Sequence, residues 1–90
     1  MNKMEEGLKR YVVGSMRKDL LNNVNKMESI LQNNVLLDKD MKKFYLEKEN
    51  KDYLSSKDQF ESWGYEFPGI QKQYEEMLPE INEYLGVKTE

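Results

Sequence analysis

Five serines, Ser15, Ser29, Ser55, Ser56 and Ser62, are the first candidates for a nucleophile. A serine hydroxyl attacks only when a neighbouring base takes its proton, and the chain has no histidine. None of the five sits in a Gly-x-Ser-x-Gly turn. Cysteine is absent too, which removes disulfides, thiolate chemistry and thiolate zinc sites. The carboxylate pairs Glu75–Glu76 and Glu80–Glu83 have the right type for acid–base work. At helical spacing they fall on a polar face, where a solvated surface is the expectation. Asp38-x-Asp40 begins like a calcium loop but lacks its third ligand, central glycine and terminal glutamate. The five glycines are isolated, so no loop cradles a phosphate. No catalytic residue, cofactor or metal site is expected, and the chain is not expected to be an enzyme.

Binding chemistry remains. Lys3, Arg10 and Arg17 recur every seven residues and line one edge of a helix. Lys9, Lys18, Lys42 and Lys43 would broaden that edge. Such a patch binds phosphates, so a nucleic-acid-associated regulator is one expected function. The net charge of −3 argues against it. Charge is also divided along the chain. Residues 1–43 hold nine basic and six acidic side chains, a net of +3. Residues 44–90 hold five basic and eleven acidic, a net of −6. The simplest account is mutual attraction of the two halves in the fold; phosphate mimicry by the glutamates would call for a longer acidic run.

A different chemistry is concentrated at Trp63-Gly64-Tyr65-Glu66-Phe67-Pro68, with three aromatics in six residues. Tyr11 and Leu21 fall away from the apolar stripe of their helix. Aromatics beyond the needs of a core are typical anchors of protein interfaces. A partner surface is therefore expected at Tyr11, Trp63, Tyr65, Glu66 and Phe67, extended by Glu75, Glu76, Glu80 and Glu83.

These residues need elements to hold them. Val13, Met16, Leu20, Val24, Met27 and Leu31 follow spacings of 3, 4, 4, 3 and 4, the stripe of an amphipathic helix. That helix starts near Asn2 or Lys3 and stops near Asn33–Asn34, residues suited to a C-cap and turn. Val35, Leu36 and Leu37 read as a buried connection. Asp38 or Asp40 caps a short helix carrying Met41, Phe44 and Tyr45, which ends near Asn50 in a wholly polar run. Ser56-Lys57-Asp58-Gln59 matches a capping box, opening a second short helix with Phe60 and Trp63 that Gly64 stops. The stretch Tyr65–Leu85 organises the rest. Ile70, Tyr74, Met77, Ile81 and Tyr84 form its stripe, Pro68 suits the first turn and Gly86 the C′ position. Pro79 should kink this helix without breaking its apolar phase. Val87–Glu90 should fray.

The expected fold is all-α: one domain, residues 1–90, a compact bundle of about four helices with the long N-terminal helix packed on the Pro-kinked C-terminal one. Phe44, Tyr53, Phe60, Trp63 and Phe67 would fill one end. No run of about 18 apolar residues occurs to span a membrane. Charges stand where a signal peptide needs an apolar core, so a cytoplasmic location is expected. Alanine is absent while lysine and asparagine abound, a codon bias that fits an AT-rich bacterium, plasmid or phage. The expected function is a small acidic helical protein that binds and inhibits or regulates a larger macromolecule. A homodimer through an uncovered part of the first helix, its Met27–Leu31 end or its Leu8–Val13 end, or a self-assembling structural subunit, is a further expectation.

Overall fold

The computed structural model describes residues 3–86, with side chains from residue 5 onward. The backbone forms three helices, α1 (Lys3–Gln32), α2 (Lys39–Ser62) and α3 (Pro68–Leu85), and no strand among the described residues. Fraying of Val87–Glu90 and the side chain of Lys3 lie outside the described set.

α1 buries the stripe its spacing predicts. Met16, Leu20, Val24 and Met27 are core residues, and Leu31 packs on them half-buried. It stops where Asn33 folds back: its side-chain oxygen accepts from the backbone N–H of Val35 at 3.1 Å and of Leu36 at 2.9 Å. Asp38 then caps α2, accepting from the Met41 N–H at 2.9 Å. α3 begins with Pro68 in its first turn and ends on Gly86, whose φ of 74° is the left-handed conformation glycine adopts without strain. Between those ends it runs through Pro79 as one helix, with the proline exposed on the side away from the buried Ile70, Tyr74 and Ile81.

Two short helices were expected where one long α2 stands. The polar run 47–52 does not end the helix, and Ser56 lies in its interior, so the capping box is not a cap. The reason lies in Leu46, Tyr53 and Phe60, seven residues apart and all buried. They keep one face of α2 on the core across the polar run. The polar side chains within the run find partners on the neighbouring helices. Glu49 accepts from Asn23 Nδ2 on α1 at 2.9 Å, and Asn50 accepts from the Tyr74 hydroxyl on α3 at 2.6 Å.

The Asn23–Glu49 bond and a bond from Lys42 to the Leu31 carbonyl fix α1 and α2 as antiparallel neighbours. Tyr53 stacks on Tyr74 at 4.4 Å between ring centroids, joining α2 to an antiparallel α3. The result is an up-down-up bundle in which each helix touches both others. α1 packs mainly on α2 rather than on α3, contrary to expectation. The radius of gyration is 15.5 Å, against about 12 Å for a compact chain of this length. The excess comes from length, with extents of 52 × 30 × 17 Å.

Three further expectations are corrected. Val35 and Leu36 are exposed rather than a buried connection, because their N–H groups are taken by Asn33 in a turn that holds them outward. Met41, Phe44 and Tyr45 face away from the core, because α2 turns Lys42 and Leu46 inward instead. Phe44 and Trp63 therefore do not fill the end of the bundle, which is closed by Tyr53 and Phe60 with Phe67 packed against them.

Candidate partner surface

The geometry of the aromatic turn follows from one glycine. Gly64 has φ 89°. Its N–H donates to the Glu61 carbonyl at 2.9 Å, and the Tyr65 N–H donates to the Phe60 carbonyl at 2.9 Å. This pair of bonds is the Schellman closure of a helix, which brings the residue after the glycine onto the last apolar residue of the helix. Tyr65 is thus folded back half-buried against the core, while Trp63, before the glycine, is left 55% exposed. The Trp63 ring keeps a tilted contact with Phe60 at 6.0 Å. Phe67 precedes Pro68 and is also half-buried, and Glu66 between them is exposed.

The antiparallel register sets Trp63 across from about residue 10 of α1. Residues 3–9 therefore run past the end of α2, an overhang of about 10 Å at 1.5 Å per residue. Leu8 is exposed on this overhang, and Tyr11 and Val12 are exposed just inside it. At 100° per residue, Leu8 and Val12 continue the edge of α1 that carries Asn23 and Ile30, the edge turned to α2. They bring apolar surface to the same end as Trp63. Tyr11 is 75% exposed but projects from the opposite side of α1 to the core stripe, so the helix does not turn it toward Trp63.

Beside the turn, α1 and the start of α3 enclose a cleft of about 410 Å³ lined by Val13, Leu21, Phe67, Pro68 and Ile70, with Arg17 and Glu66 contributing charge. Leu21 is half-buried here rather than free, and Arg17 shares the cleft with an acid. The basic edge expected from Lys3, Arg10 and Arg17 is thus interrupted by Glu66, although Arg10 and Arg17 are both exposed.

The acidic residues are spread along α3 rather than gathered at the turn. Glu75, Glu76, Glu80 and Glu83 are all exposed. Glu75 accepts from Gln71 Nε2 at 3.1 Å. Glu83 lies beside Lys42 and Tyr84 at the far end of the bundle, so it belongs to no single surface with Trp63 and Glu66. Leu8, Val12 and Val13 belong to the end of α1 that was expected to stay open for a second copy of the chain, not to the expected partner surface. Their signal is length: α1 is longer than the element that covers it.

Among the described residues, burial acts on the ionisation of two tyrosines. Burial, then the neighbouring Tyr74, Glu61 and Glu75, push the Tyr53 hydroxyl up to about 12. Burial also raises Tyr74. Both hydroxyls are kept neutral, which is a packing role. Among the described residues no group of three or more carboxylates converges as a metal site would require. Comparison with protein-family models, with curated proteins and with solved structures finds no match in any of the three.

Proposed function

We propose that this chain is a helical interaction protein that recognises a larger protein through the end of the bundle carrying the α1 overhang and the Trp63–Phe67 turn, and inhibits or regulates it. The supporting observation is that Trp63, Leu8 and Val12 are all exposed at the end of the bundle that also holds the Val13–Leu21–Phe67 cleft. Apolar side chains gathered at one end of a small polar protein have most to gain from being covered by another chain. Arg17 and Glu66 at the cleft would set the orientation of the bound segment.

The test is affinity capture from the native host with the tagged full chain, and mass spectrometry of what is retained. Trp63→Ala and Val12→Glu, each folded by circular dichroism, are expected to lose the retained partner. Glu83→Lys, at the far end, is expected to keep it. Retention by both end variants would refute the assignment. The nucleic-acid alternative predicts a salt-sensitive shift of duplex DNA that disappears in Arg10→Glu/Arg17→Glu. With Glu66 beside Arg17 and a net charge of −3, the expected outcome is no shift at physiological salt.

A further inference from the structure

A second exposed apolar surface lies at the other end of α2. Val35 is 92% exposed and Phe44 64%, with Leu36, Met41 and Tyr45 also exposed. Phe44 and Tyr45 meet edge to face at 5.4 Å, so the two rings form one raised patch on the helix.

The charges around Phe44 are arranged with a two-fold property. Asp40 lies four residues before it and Lys48 four residues after it. On a helix each step of four turns only about 40°, so Asp40, Phe44 and Lys48 form one ridge, acid at one end, ring in the middle, base at the other. Both charged residues are exposed. Among the described residues neither takes part in an ion pair or a side-chain hydrogen bond within the chain, so this acid and this base are available to another chain. When two such ridges cross antiparallel with the Phe44 rings at the centre, Asp40 of each copy meets Lys48 of the other. An isologous contact requires this self-complementarity of residue i with j and j with i.

We propose that this face of α2 is where a second copy of the chain binds, in a two-fold dimer centred on Phe44, with Asp40–Lys48 pairs formed twice across the axis. Met41 and Tyr45 complete the apolar centre, and the exposed Val35–Leu36 turn lies at its margin. The surface differs from those expected on α1: at the Met27–Leu31 end Met27 is buried and Leu31 packs on the core, while the exposed Leu8 and Val12 lie at the opposite end of the bundle from Phe44. It is also separate from the Trp63 end, since the 19 helical steps from Phe44 to Trp63 span about 28 Å.

Sedimentation equilibrium of the full chain tests it. The chain mass is 10.8 kDa, so a dimer is twice that. The wild type is expected to reach the dimer mass by about 100 µM, a concentration that reveals even weak specific association. Asp40→Lys and Lys48→Asp are each expected to weaken association about tenfold, the summed effect of two exposed pairs turned repulsive. The double variant Asp40→Lys/Lys48→Asp restores the pairs with signs exchanged and is expected to recover dimerisation. Circular dichroism shows whether each variant keeps its helices. A monomer mass for the folded wild type throughout that range overturns the proposal. So does a wild-type dimer that neither single reversal weakens, or a folded double variant no better than the singles.

Discussion

Among the described residues Lys42 is the one buried charged side chain, 4% exposed, and no carboxylate there pairs with it. A buried ammonium is costly unless its N–H groups are taken up. Here they are: Nζ donates to the Leu31 carbonyl at 3.3 Å and to Asn34 Oδ1 at 2.9 Å, and it lies 5.7 Å from the centre of the Tyr84 ring. α1 has no basic residue in its own last turn, so Lys42 brings a cation to the negative end of that helix while touching the α1–α2 turn and α3. Lys42→Ala should therefore cost about 1.5–3 kcal/mol, the range for a hydrogen bond to a charged group, visible as a lower urea midpoint. An unchanged midpoint would mean that the ammonium contributes nothing net. The tyrosine pair gives a prediction in pH. In the unfolded chain Tyr53 loses its proton near 10, but in the fold only at about 12. Its contribution is complete below pH 10 and is lost as pH rises from 10 to 12, on the order of 2 kcal/mol. Tyr53→Phe should flatten that alkaline decline, and a decline of unchanged slope would place its cause elsewhere.

At the scale of elements, what was legible was whatever depended on periodicity or on a terminus. α1 and α3 follow their apolar spacing, and Asp38, Gly64, Pro68 and Gly86 act where their chemistry says they should. α2 was misjudged because its core contacts are sparse. Leu46, Tyr53 and Phe60 recur only every seven residues, and the intervening inward positions are filled by Lys42, Asn50 and Lys57. A polar residue turned inward looks like a helix end until its partner is known, and Asn23 and Tyr74 lie 26 and 24 residues from the side chains they bond, Glu49 and Asn50. The same gap let Met41, Phe44 and Tyr45 pass for a core face. Ser56→Ala separates the two descriptions of α2. As a cap its loss would cost about 1 kcal/mol; inside a continuous helix alanine should be neutral or stabilise by a few tenths, from propensity. Thermal melting distinguishes them. Pro79 offers the converse case. It is exposed within α3, so Pro79→Ala restores a backbone donor with no core to disturb and should raise the melting temperature, by up to about 3 kcal/mol of stability. A lower melting temperature would mean that α3 depends on the proline for its shape.

For the whole molecule, the mismatch in helix length decides which surface is left over. α1 has 30 residues, α2 has 24 and α3 has 18. The core lies where all three overlap, and the ends are bare. Residues 5–12 of α1 are all exposed, so their amides should exchange with deuterium far faster than those of Leu20–Met27 in the isolated chain. Equal protection along α1 would show that the overhang is already covered. The candidate surface was half legible: Trp63 and Glu66 could be named from composition, but the cleft needed α1 and α3 in register, which no local pattern specifies. The position of Trp63 has an optical consequence. It is the single tryptophan of the chain, half out of the fold at the turn, and indole emission moves to shorter wavelength as water is excluded. The protein thus carries its own fluorophore at the proposed recognition end. A blue shift would report capture of the larger partner, while self-association through Phe44, about 28 Å away along α2, would leave the emission where it was.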